Sequence, residues 1–307
     1  MFGAGFALSG ALPLDGARAL TLLEEVVDAG YAPVLCTEVC ATSALALTAA
    51  LAARRPGVPL GTGIVPLPTA TDSAIAMGAA TAASLSDTTY FLGVGTSTEQ
   101  IVGGWHGAEY DASVSGTHQR LTSLRALLDG ERRGSFALPK PPGEQVRVLL
   151  GALGPRMVGL GMTAADGVIV NFTPPDRLPE PITGKTVLAY VWVLVDDESE
   201  GRARRDLTAY CLALPYARHF TALGYGKVVE QVAVLAGQRR LREAPDELPT
   251  EFVRRFYATS ERLAGLCADY RDAGATPVVL PVTGPAPESL LVGLAGLDLS
   301  VDVSQAT

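Results

Sequence analysis

A carboxylate and three turns of small residues stand where apolar runs stop, which is where α/β enzymes place the groups that meet a ligand. Glu38 ends the run Ala32–Glu38. A charge there must be hydrogen-bonded or face open solvent; its alternative use is to neutralise the positive end of the following helix. Gly61-Thr62-Gly63-Ile64 lets backbone approach a ligand, or lets a strand end sit tightly on a helix. Gly95-Thr96-Ser97-Thr98 offers three hydroxyls to a cofactor or substrate oxygen, or caps a helix. Gly154-Pro155-Arg156 places proline in a first helical turn and leaves amides free for an anion, or is a bare strand-to-helix turn. Asn171 adds a polar group at the end of a further apolar run.

The histidines are His106, in Gly104-Trp105-His106-Gly107, His118 and His219. None forms an i, i+4 ligand pair, so no metal is expected. His106 and His118 lie in or beside a long connection and are the candidate proton donors, against the alternative of solvated or hydrogen-bonded loop histidines; His219 is read as structural. Cysteines 36, 40, 211 and 267 have neither zinc-site nor disulfide spacing, and free thiols point to a reducing, cytoplasmic setting. A phosphate-cradling P-loop and the dinucleotide pattern GxGxxG after a strand are both missing, which argues against nucleoside triphosphatases and Rossmann enzymes.

The formal charge of -8 repels nucleic acid and acidic membranes. Arg132-Arg133 and Arg239-Arg240 are too sparse for counterion-driven binding and read as solvated helix ends. Residues 1–6 lack the basic start of a secretory signal, and the apolar stretch 41–53 is too short to span a bilayer. With 48% hydrophobic and 18% charged residues, the chain has the material for one large core, so residues 1–307 are expected to form a single domain.

The elements that must hold these residues alternate from the start. Strands are expected at 2–8, 32–38, 58–65, 89–95, 147–153, 167–172, 187–195 and 276–282, with Pro287–Leu294 closing the ring. Helices are expected at 16–30, 41–55, 71–85, 118–128, 155–165 and 260–272. An excursion at 96–117 follows the fourth strand. Pro174, Pro175, Pro179 and Pro181 forbid a regular sixth crossover helix. Residues 200–259 hold more helix than one crossover needs and read as a helical insertion. The alternation predicts a (β/α)8 barrel.

In their order, Cys36-Thr37-Glu38, Leu60–Val65, Phe91–Thr96, Ala152–Met157 and Ala165–Ile169 resemble the luciferase-like superfamily, in particular its deazaflavin (coenzyme F420) branch. The resemblance spans roughly Leu20–Phe172. It implies a (β/α)8 barrel that transfers hydride between F420 and a small organic substrate. It also implies a non-prolyl cis peptide at Gly63–Ile64 against the cofactor ring, Glu38 near that ring or its ribityl hydroxyls, and Gly95 and Thr96 beside them. The amides of the turn Gly154-Pro155-Arg156 would approach the phosphate, with Asn171 facing the cofactor. Val39 departs from sugar-phosphate-oxidising relatives, which carry a catalytic histidine there, and that substrate class is put in doubt. The resemblance also implies association as a homodimer. Two other readings stay open: a reduced-flavin (FMN) monooxygenase on the same barrel, and a cofactor-free barrel serving as a partner subunit.

Overall fold

The computed structural model describes residues 4–282. Along them run β1 (Gly5–Leu8), α1 (Gly16–Asp28), β2 (Val34–Cys36), α2 (Ala44–Arg54), β3 (Leu60–Pro66), α3 (Asp72–Ser86), β4 (Tyr90–Gly95) and α4 (Val114–Leu128). There follow β5 (Val146–Ala152), α5 (Pro155–Ala164), β6 (Gly167–Val170) and β7 (Thr186–Leu194). Then come α6 (Ser199–Leu212), α7 (Leu214–Phe220), α8 (Gly226–Gly237), α9 (Ala244–Glu247) and α10 (Thr250–Phe256). The last elements are β8 (Tyr257–Thr259), α11 (Ser260–Asp272) and β9 (Thr276–Val282). Strands β1 to β7 pair in chain order, β7 pairs β9 and β9 pairs β1, all in parallel, so the ring closes as a (β/α)8 barrel. The expected closing run Pro287–Leu294 lies outside the described residues.

Side-chain capping sets the helix starts. The Asp15, Thr71 and Ser113 side chains accept from backbone N–H groups three residues on, at Arg18, Ala74 and Gly116. The Ser113 cap moves the start of α4 to Val114, so His118 lies a turn inside the helix and not at its first position. Between β6 and β7 the prolines leave only a single 3-10 turn at Pro175–Arg177, as their missing donors require.

Period-two alternation divides the apolar residues into two cores. Along β7, Val187, Ala189, Val191 and Val193 face the helices outside the ring, while Leu188, Tyr190 and Trp192 face inward. The inward set joins Ala7, Leu35, Leu149, Ile169, Val278 and Leu280, and also Leu207, Phe220, Phe252 and Phe256 from the insertion. The insertion therefore does not stand off as a separate unit; it completes the barrel's own interior. Phe172 is the knot. It stacks on Trp192 with ring centres 5.4 Å apart and meets Tyr210, Tyr216, Phe220, Phe256 and Tyr257.

Tyr257–Thr259, expected as helix, is strand β8. Strand β6 pairs with β7 only from Thr186 to Ala189, and β8 takes the same edge from Trp192 to Leu194. Otherwise those backbone groups would lack partners. No helix among the described residues is long and apolar enough to cross a membrane.

Asp206 on α6 is half-buried under this aromatic layer, and burial pushes its carboxyl up to about 6 against the opposing pull of Arg205 and Arg202. An unfolded aspartate titrates near about 3.9, so the folded state holds the extra proton between these values and loses stability as pH rises through them. Asp206→Asn is therefore expected to stabilise the protein at pH 7–8 by on the order of 1–2 kcal/mol. Thermal melts should show that gain fading as pH falls toward 4; an equal gain at both ends contradicts the assignment.

Candidate active site

Strand β3 breaks its register with β4 between Thr62 and Val65, and within that break the Gly63–Ile64 peptide is cis, as the resemblance implied. Both carbonyls flanking the bond are held. The Tyr190 hydroxyl reaches across the barrel and donates to the Gly63 carbonyl, and the Glu38 backbone N–H donates to the Ile64 carbonyl at 3.2 Å. A side chain at residue 63 would run into the Tyr190 hydroxyl and come within 3.1 Å of Leu35 Cδ1. Ile64 lies across two further glycines. A Cβ on Gly151 would stand 3.0 Å from its Cγ2, and one on Gly95 would stand 3.4 Å from its Cγ1. The glycine-rich upper ends of β3, β4 and β5 thus form a platform on which the Ile64 side chain and the Tyr190 hydroxyl lie.

Glu38 turns its carboxylate away from this platform. Its Oε2 accepts from the Ala44 N–H at 3.0 Å and from the Ser43 hydroxyl at 3.4 Å, capping α2, whose Ser43 makes no side-chain cap of its own. Thr96 and Ser97 follow β4, with Ser97 at φ +59°, and the Tyr110 hydroxyl donates to the Ser97 carbonyl at 3.3 Å. Asn171 Oδ1 accepts from Trp192 Nε1 at 2.7 Å, and its Nδ2 donates to the Tyr216 hydroxyl at 3.4 Å. Tyr190 from β7 thus touches the Gly63–Ile64 peptide, and the Trp192–Asn171–Tyr216 bonds join β7, the end of β6 and α7.

The two candidate histidines are not brought together. His106 is exposed and places Nε2 3.4 Å from the Val39 carbonyl, tying the excursion after β4 to the end of β2. His118 lines a cleft of about 790 Å3 with Ser113, Ser115, Arg156, Thr163 and Arg218. That cleft adjoins the start of α5, whose N-cap Gly154 has no side-chain cap and whose first residue is Pro155. No carboxylate lines it, and neither Arg156 nor Arg218 forms an ion pair among the described residues. At that turn the Met157 and Val158 N–H groups both donate to the Gly154 carbonyl and Pro155 has no N–H, which leaves the Arg156 N–H and the two guanidinium groups as the donors beside the cleft. His219 is buried and donates from Nε2 to the Phe172 carbonyl at 2.8 Å; burial holds its imidazole below the ordinary range, so it is neutral at pH 7. No cluster among the described residues fits a metal ion.

The model of the luciferase-like monooxygenase family matches residues 5–277. The chain belongs to that family. It is an oxidoreductase. A Mycobacterium tuberculosis protein that bears the name coenzyme F420-dependent oxidoreductase is 25% identical over 281 residues, covering 76% of this chain and 80% of its own. Two solved structures share the fold. One is the coenzyme F420-dependent tetrahydromethanopterin reductase of Methanopyrus kandleri, with TM-score 0.73, 17% identity and coverage of 96% and 98%. The other is an F420-dependent secondary alcohol dehydrogenase in complex with an F420-acetone adduct, with TM-score 0.71, 14% identity and the same coverage.

In this luciferase-like barrel, sequence reasoning missed Tyr110, Tyr190, Trp192, Tyr216 and Arg218. Alternation along β7 was the available signal for Tyr190 and Trp192, since both share the face of Leu188. Tyr216 and Arg218 come from α7, and no local pattern says that this helix meets the ends of β5 and β6.

Gly63→Ala forces a methyl into the Tyr190 hydroxyl and is expected to destabilise the fold by about 1–3 kcal/mol. Glu38→Ala removes the α2 cap and is expected to cost about 1 kcal/mol. Both are read from urea unfolding midpoints. An unchanged midpoint for Gly63→Ala shows that the platform tolerates a side chain and contradicts this geometry.

Proposed function

We propose that the protein is an F420-dependent oxidoreductase that moves a hydride between the deazaflavin and a small organic substrate. The observation that carries this reading is the glycine-built platform at the ends of β3, β4 and β5 together with an α5 start beside two guanidinium groups that form no ion pair among the described residues. A planar tricyclic ring needs backbone it can approach closely, and a phosphate needs amides and cations. Gly63, Ile64, Gly95 and Thr96 are the residues to face the ring. Gly154 and Pro155, with Arg156 and Arg218, are those to hold the phosphate, and Asn171 presents its amide at the platform's edge. The deazaflavin supplies the hydride chemistry when bound. The chain binds and orients it, and the aromatic layer around Phe172 keeps water away.

Glu38 acts here through α2 and through its N–H on the Ile64 carbonyl. His118 belongs to the phosphate end, and His106 to the rim. The relatives named as F420-dependent support the deazaflavin, and flavin monooxygenases that share the fold support FMN as the alternative.

Titration of the purified protein with F420 and with FMN, followed by fluorescence, tests the reading. F420 is expected to bind and FMN to bind much more weakly. The double variant R156A/R218A is expected to weaken F420 binding by about 10- to 100-fold through loss of charge-assisted hydrogen bonds. Binding of FMN alone makes the protein a flavin monooxygenase instead, and binding of neither supports the cofactor-free reading.

A further inference from the structure

Two hydrogen bonds hold the carbonyls on either side of the Gly63–Ile64 peptide, and they differ in kind. The Ile64 carbonyl accepts from the Glu38 backbone N–H at 3.2 Å, a donor that any residue but proline supplies at position 38. The Gly63 carbonyl accepts from the Tyr190 hydroxyl, a donor that exists only because β7 carries a tyrosine there. Trp192, the next donor on that face of β7, spends its indole N–H on Asn171 at 2.7 Å. Leu35, Leu149 and Leu188 of the same inward core have no donor to offer.

The same hydroxyl fills the space where a Cβ on residue 63 would stand. Without it, the closest remaining atoms would be Leu35 Cδ1 at 3.1 Å and Tyr190 Cζ at 3.3 Å, a tight fit that small side-chain shifts relieve. Burial holds the Tyr190 phenol far above its ordinary range, with Tyr216 and Cys36 pushing the same way, so the hydroxyl stays a donor at any working pH. Its proton is engaged by a carbonyl, which only accepts, and is not on offer to a substrate. Removing the hydroxyl would leave that carbonyl open in the surface a ring would lie on. An open buried acceptor draws in water or turns toward another donor, and either change moves the surface.

We propose that Tyr190 is a positioning residue of the cofactor site: its hydroxyl fixes the Gly63 carbonyl, and through it the surface against which the deazaflavin ring lies. This rests on the reading that the deazaflavin occupies the platform. Tyr190 acts through the β3 backbone, so it sets how tightly the ring is held and not which proton moves. Tyr90, the first residue of β4, is a matched comparison. It too is buried, and its hydroxyl bonds the Thr48 hydroxyl at 2.8 Å, but it does so in the outer core between strand and helix.

The test reads F420 affinity by fluorescence titration and stability by urea unfolding in the wild type, Y190F, Y90F and Tyr190→4-aminophenylalanine, which puts an N–H donor back at the same ring position. Y190F is expected to bind F420 about 3- to 10-fold more weakly. Y90F is expected to show a lowered urea midpoint yet bind F420 as the wild type does. The 4-aminophenylalanine variant is expected to bind within about threefold of the wild type. A double-mutant cycle, which needs no cofactor, checks the contact itself: Gly63→Ala is expected to lower the urea midpoint less in Y190F than in the wild type. No F420 binding to the wild type ends the cofactor reading and the role of Tyr190 with it. Where the wild type binds, equal affinity in Y190F, an equal loss in Y90F, or additive midpoints in the cycle overturns the role of Tyr190 alone. Should Y190F fail to fold, weak F420 binding by the folded 4-aminophenylalanine variant overturns it in the same way.

Discussion

One hydrogen bond across the barrel, from the Tyr190 hydroxyl to the Gly63 carbonyl, sets what the mouth can be. It spans from β7 to β3 and leaves no room for a Cβ at residue 63. The neighbouring carbonyl of Ile64 is pinned from another side by the Glu38 N–H, so the peptide between them has its two ends fixed by different strands. Ile64 can then settle only over Gly95 and Gly151. The platform is thus a consequence of long-range anchoring as much as of local glycine content.

The insertion shares in this constraint. Its aromatic residues surround Phe172, which sits at φ +49° immediately after Asn171. That ordered knot presents the Asn171 side chain to Trp192 on one side and to Tyr216 on the other. Direction in the chain from indole to amide to phenol is set by donor and acceptor chemistry alone. A helical segment that looks supplementary in the sequence therefore becomes part of the barrel's interior and of its polar edge.

Most of the barrel was legible because its strands carry strong period-two apolar runs and its breaks carry glycine and proline. The proline-rich sixth crossover, the insertion and the Gly63–Ile64 peptide follow from such local signals or from the family likeness. Strand β8 was not legible, since Tyr257–Thr259 is a strand only because β6 is shorter than β7. The start of α4 was misplaced because the cap at Ser113 lies in a stretch without apolar periodicity. At the site, the glycine turns announced themselves, whereas the orientation of the Glu38 carboxylate toward α2 and the arrival of Tyr216 and Arg218 depend on tertiary contacts. Arginine is a case in point: Arg54, Arg120 and Arg125 are paired with acidic residues from other elements, and only the fold shows that Arg156 and Arg218 form no ion pair among the described residues.

The central claim is that one ligand spans the platform and the start of α5 together. Hydrogen exchange followed by mass spectrometry, with and without F420, addresses it most directly. Slowed exchange is predicted in the same titration at Thr62–Val65, at Gly95–Thr98 and at Arg156–Val158. Protection confined to other segments, with those three unchanged at saturating F420, contradicts the account.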